Sequence, residues 1–167
     1  MPFRFEAAPR PMDLTAHAGL TLIAETLLAL GVDQLVRAGL QVRVRHRGYA
    51  EFDTLQAMVL VQAAGGDCVE DGRVLARDAG LARVLHRRFP APEAVHDCLA
   101  RFHAAEQMAQ RPPAGAWIPT ESPALQKLAA LNTAVIRRAV AGLDATTATL
   151  DLDATLIVSH TRDALPL

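Results

Sequence analysis

The chain of 167 residues has little of several things. It has two cysteines, Cys68 and Cys98, too far apart for a metal-binding pair, and they read as reduced thiols of a cytosolic protein. Aromatic residues make up only 4%, with a single tryptophan and a single tyrosine. Neither charge dominates: the net charge is −1, so nucleic-acid binding, if present, must come from a local patch. The opening Met1-Pro2-Phe3-Arg4-Phe5-Glu6 lacks the apolar core of a secretory signal, and charges or glycines break every long apolar run. These absences point to a cytoplasmic protein without a membrane span.

What is present is aliphatic. Hydrophobic residues account for 51% of the chain and are rich in Ala, Leu and Val, which suits a helical globular protein rather than disorder. The fold class read from the sequence is mainly α. Residues 1–13 carry three prolines and read as an irregular arm. Helices are expected over residues 21–30, ended by Gly31, and over 32–38, closed by Gly39. A third is expected over 52–64, with Asp53 as N-cap and Leu55, Met58, Val59 and Gln62 at helical spacing. Gly65-Gly66 ends it; without a lysine or a preceding strand, this pair is no phosphate loop. Three short helices follow, over 69–77, 81–88 and 92–102, the last with Pro92 at its first position. Tight turns between them are compatible with a helix-turn-helix.

The clearest break is residues 110–122, with three prolines and a glycine; Trp117 within it reads as a packing residue. Ser122 and Pro123 then open a helix over 123–141, with Leu125, Leu128, Leu131, Val135 and Ile136 as its apolar stripe. The expected organisation is a helical region 1–109, a linker 110–122, and the start of a second domain at 123–167.

Two basic stretches stand out. Arg43, Arg45 and Arg47 alternate with Val42, Val44 and His46, and an extended segment could present them together to DNA phosphates. A solvated charged loop accounts for them equally well. Arg83, Arg87 and Arg88, with His86 among them, form the second stretch. His96, Asp97 and His103 do not make a metal site, because neighbours on a helix face apart and an i, i+7 pair lies about two turns apart.

The chemistry sits near the C-terminus. Over residues 149–158, Leu150, Leu152, Ala154, Leu156 and Val158 alternate with Thr149, Asp151, Asp153 and Thr155, as a strand requires. Asp151 and Asp153 then project from one face about 6–7 Å apart. One carboxylate could ligate a divalent cation while the other acts through water. A half-exposed strand that happens to carry two acids is the plainer alternative.

Asp151-Leu152-Asp153-Ala154-Thr155, followed by Ser159-His160 and Arg162-Asp163-Ala164, resembles the first catalytic segment of DDE-type bacterial insertion-sequence transposases. The resemblance extends upstream. Gly65-Gly66-Asp67-Cys68-Val69-Glu70-Asp71, then Leu75, Asp78 and Leu81, is similar to a turn between helices of that family's N-terminal region, and Thr15 to Gly19 is similar to its first helix approach. Ala91 stands where the family has a serine-containing turn.

The resemblance implies that residues 123–167 begin a ribonuclease-H-like α/β domain, incomplete here, and that Asp153 is the first metal-binding acid, with Asp151 as partner or alternative. It implies Mg2+ or Mn2+ as cofactor in the full-length enzyme. The implied partner is DNA at the element's terminal repeats, with a homodimer as one option for the assembly. The family's second Asp and its Glu do not follow before Leu167, so the expectation is a fragment inactive alone. A non-catalytic DNA-binding regulator is the competing expectation.

Overall fold

A computed structural model gives the architecture and describes residues 14–43, 48–103, 106, 109–113, 120–143, 147 and 149. Among these residues the protein is mainly helical and contains no strand. In chain order the helices are α1 (Leu20–Ala29), α2 (Val32–Gly39), α3 (Glu51–Ala63), a 3-10 turn (Val69–Asp71), α4 (Gly72–Arg77), α5 (Ala79–Val84), α6 (Pro92–Ala100) and α7 (Pro123–Val140). The strand expected over 149–158, with the ribonuclease-H-like sheet it implies, lies outside the described residues apart from Thr149.

Helix α3 is the hub: α1, α2, α4, α6 and the 3-10 turn all pack on it. Its sequence allows this because nearly every face can be covered. Phe52, Ala57, Leu60 and Val61 are buried, and so is Thr54, whose hydroxyl donates to the Ala50 carbonyl. A single stripe through Leu55, Met58, Val59 and Gln62 is therefore too simple for this helix: Gln62 is exposed, and the other three are only half-buried. Asp53 does not cap α3 at its first position either. The helix starts two residues earlier, and Asp53 reaches back to accept the Ala50 N–H at 2.9 Å. That is the returning half of a capping box, and it places a carboxylate at the positive end of the helix.

Two apolar clusters lie on either side of α3. The first joins α1, α3, α4 and α5 through Leu20, Ala24, Leu60, Leu75 and Leu81, closed by Phe89. Leu60 and Leu81 have no exposed surface, and burial of such a side chain contributes about 1.5–3 kcal/mol. The second cluster joins Val32, Val36, Leu40 and Phe52 to Leu131 of α7. Helix α7, expected to begin a second domain, thus shares a core with α2 and α3. Ser122 fixes its start: the buried hydroxyl accepts the Leu125 N–H at 3.2 Å and donates to the Phe102 carbonyl at 2.9 Å. Of the expected stripe, Leu128, Leu131 and Val135 meet this core, whereas Leu125 and Ile136 are exposed.

The glycine pair after α3 terminates it as its sequence suggests. Gly65 has φ +85° and donates to Gln62 O at 3.0 Å, and Gly66 donates to Val61 O at 2.9 Å. This 6→1 and 5→2 pair is a Schellman termination. Asp71 then secures the loop, its Oδ2 accepting the N–H groups of Asp67 at 2.9 Å and Cys68 at 3.1 Å. Those bonds hold the Asp71 carboxyl below the usual carboxylate range.

Candidate nucleic-acid interface

Asp78, the single residue between α4 and α5, anchors the N-terminal segment to this helical body. Its Oδ1 accepts the Leu81 N–H at 2.8 Å, capping α5. Its Oδ2 receives the Thr15 hydroxyl at 2.5 Å and lies 3.0 Å from His17 Nδ1. Burial pushes the Asp78 carboxyl up, but the bonds from His17, Thr15 and Leu81 outweigh it and leave it below the usual range. Gly80 makes room for the crossing chain: a Cβ there would lie 2.3 Å from the Leu14 carbonyl oxygen. The oxygens of Asp78 are therefore committed to the fold.

The first basic stretch divides. Arg45 and Arg47 lie outside the described residues. Arg43 is folded inward, its Nε donating to Glu51 Oε2 at 2.8 Å and its Nη1 to the Tyr49 carbonyl at 3.1 Å. Its backbone N–H also donates to Glu51 Oε1 at 3.1 Å. The two side chains are only 20% and 11% exposed, which makes this a local clamp between the chain before α3 and its first turn. Burial pushes the Glu51 carboxyl up, but N–H bonds and the Arg43 guanidinium bring it below the usual range. A phosphate would have to compete with Glu51 for Arg43.

The second stretch is brought together at the C-terminal end of α5. Between Asp78 and Glu93 the chain has three arginines, one histidine and no acid. Arg83 lies in the last turn of α5, and Arg83, Arg87 and Arg88 are all exposed. Arg87 donates to Asp53 Oδ1 at 2.7 Å, and its guanidinium lies 5.6 Å from the centroid of the Phe52 ring. This ties the turn to the start of α3. Beyond Arg88 the chain enters the core at Phe89 and Pro90, both buried. The basic turn is thus held on both sides.

A helix-turn-helix reading finds less support in these helices. Helices α4 and α5 have six residues each, only about 9 Å of helix apiece. Helix α6 is longer, but its face carries Glu93 and Asp97, and Glu93 pairs with Arg73 at 2.8 Å. The positive charge of residues 83–88 gathers at the last turn of α5 and in the turn that follows it, not along the length of a helix. Ala91 sits at the N-cap of α6 without a side-chain bond.

Asp151 and Asp153, the candidate catalytic acids and ligands for Mg2+ or Mn2+, lie outside the described residues. Among the described residues no group of three or more His, Cys, Asp and Glu side chains could hold a metal ion. His96 instead faces Glu70 at 2.8 Å. Cys68 is exposed and Cys98 buried, and burial pushes the Cys98 thiol up, away from reactivity. Among the described residues no helix is long and apolar enough to cross a membrane.

Comparison with protein-family models, with curated proteins and with solved structures yields no significant match for this chain.

Proposed function

We propose that the chain is a transposase-derived protein of DNA transposition. Its helical region would bind DNA at the terminal repeats of a mobile element, and its Asp151-Leu152-Asp153-Ala154-Thr155 segment would supply the first acid of a metal-dependent nuclease site. The observation that carries this is the order of two motifs along one chain: Gly65-Gly66-Asp67 to Asp71 with Asp78, and then the Asp-x-Asp-x-Thr segment. The tight turn built by Gly65, Gly66 and Asp71, and the tether made by Asp78, give those upstream residues physical reasons to occur together.

On this reading residues 149–158 form a strand of a ribonuclease-H-like sheet, and Asp153, with Asp151 beside it, would hold Mg2+ or Mn2+ in the full-length enzyme. A divalent ion held there lowers the charge barrier to attack on a phosphodiester. In cleavage, water adds to phosphorus, the bond to the 3′ oxygen breaks, and that oxygen leaves as the 3′ hydroxyl after taking a proton. In strand transfer the same hydroxyl attacks a phosphodiester of the target and displaces its 3′ oxygen.

The decisive experiment replaces Asp153 with Ala in an enzyme that also carries the family's two later acids. Strand cleavage should fall by several orders of magnitude while DNA binding persists; cleavage unchanged by Asp153→Ala and by Asp151→Ala would sink the assignment. Sequencing the coding DNA beyond Leu167 in all frames shows whether those acids follow.

The second reading is a non-catalytic DNA-binding regulator that occupies the terminal repeats. The exposed basic turn of residues 83–88 favours it, since that turn needs no metal to meet phosphate. Binding should then weaken steeply with added salt, and salt-independent or absent binding rejects it.

A further inference from the structure

His86 is the only non-glycine residue with positive φ among the described residues, at +53°. It ends α5 in the same way that Gly65 ends α3. The His86 N–H donates to Arg83 O at 3.2 Å, and the Arg87 N–H donates to Ala82 O at 3.1 Å. That is a second Schellman termination, with His86 at the left-handed position. Glycine occupies the corresponding place after α1, at Gly31 with φ +64°, and after α3, at Gly65 with φ +85°. An L side chain is strained in this conformation because its Cβ crowds the following carbonyl. Histidine is among the residues that tolerate it best, yet glycine would hold the turn with less strain.

The imidazole is exposed, and no hydrogen bond or ion pair within the described residues engages it. No polar contact of the imidazole within the described residues therefore offsets its backbone cost. Strained side chains of this kind concentrate where a group must be aimed at a ligand. The setting here is a rigid one. Arg87 is fixed on Asp53 and Phe52, and Phe89 and Pro90 are buried immediately beyond. His86 and Arg88 flank the fixed Arg87, both exposed, in a stretch without acids.

We propose that His86 is a DNA-contacting residue, donating an imidazole N–H to a backbone phosphate of duplex DNA, and that the α5 turn keeps it at the cost of a more stable glycine. This rests on the DNA-binding reading above and adds to it the residue that converts a charged turn into an aimed contact.

The test compares the full chain with His86→Gly and His86→Asn. Asparagine also accepts the left-handed conformation, so it separates loss of the imidazole from any flexibility that glycine brings. Thermal melts and fluorescence anisotropy with a labelled mixed-sequence duplex of about 30 base pairs, read at several salt concentrations, supply the readouts. His86→Gly should melt about 2–5 °C higher and yet bind DNA roughly three- to tenfold more weakly, the effect of one lost hydrogen bond. His86→Asn should bind comparably weakly without the gain in stability. Unchanged affinity in either variant, with the native chain binding in a salt-dependent way, overturns the inference and leaves the DNA-binding reading standing. No binding by the native chain at low salt removes both.

Discussion

Arg138, near the end of α7, donates from Nη1 to the carbonyl oxygens of Leu30 at 2.8 Å and Gly31 at 3.0 Å. The Leu30 oxygen belongs to the C-cap of α1, whereas the Gly31 oxygen opens α2 by also accepting the Leu35 N–H. At Leu30 the guanidinium thus does for α1 what a basic residue in its own last turn would do, and α1 has none there. Gly31 is shaped to receive it: a Cβ at this position would lie 2.2 Å from Arg138 Nη1. Arg138→Ala should lower stability by about 1 kcal/mol, read as a shift in the urea midpoint, and Arg138→Lys should restore only part of it.

Leu131 joins α7 to the second apolar cluster and is 6% exposed. Leu131→Ala should cost roughly 2–4 kcal/mol. Hydrogen exchange in α2 should quicken together with that in α7. Exchange that quickens in α7 alone would mean that the two helices open independently.

Glycine positions separate two physical demands. Gly80→Ala would force a Cβ against the Leu14 carbonyl oxygen, a backbone atom that cannot rotate away. It should cost about 2 kcal/mol or more, with protection lost first at residues 14–20. Gly39 ends α2, and a Cβ added there would meet nothing within 4 Å. Gly39→Ala should therefore be neutral or stabilising by up to about 1 kcal/mol. Thermal melts of both variants check the contrast.

After α3, Gly65 and Gly66 are needed for different reasons. A Cβ on Gly65 meets open space, so Gly65→Ala carries the left-handed backbone cost alone, about 1 kcal/mol. A Cβ on Gly66 would lie 2.6 Å from Val61 Cγ1 and 3.1 Å from Val61 O. Gly66→Ala should be the more damaging of the two, and equal losses in urea titration would contradict the packing described here.

Asp78 and Glu51 both have carboxyls lowered in the folded protein. A depressed carboxyl stabilises the fold above its unfolded value, and that contribution is lost as pH falls through the folded one. Stability should therefore hold from neutrality down to about pH 4 and then decline. Asp78→Asn should lower stability at pH 7 by about 1–2 kcal/mol and flatten the acid decline. An unaltered pH profile in that variant would show that the Asp78 ties to Thr15 and His17 carry no weight in solution.

Local signals were legible in the sequence where the chain's own neighbours decide the outcome. Gly31 and Gly65 mark helix ends because only glycine reaches their backbone conformation without strain, and Ser122-Pro123 marks a helix start because a hydroxyl cap and a fixed φ suit that place. Composition and aliphatic spacing were enough for a mainly helical protein. Helix starts were less secure: Asp53 reads equally well as the cap itself or as the residue that reaches back to it, and the sequence near it favours neither.

The tertiary structure alone decided which polar groups are available and which are consumed. Arg43, Arg87 and Asp78 are charged residues in charged surroundings by sequence, yet each is held by a partner, Glu51, Asp53 or the pair Thr15 and His17. Linear spacing could not reveal this, because all but the first of these pairings cross between elements distant in the chain. The strain at His86 was equally invisible, since a backbone dihedral depends on how α5 is stopped by Phe89 and Pro90 entering the core. Sequence determined the helices and their ends through local sterics; packing determined which of their charges remain free to meet a ligand.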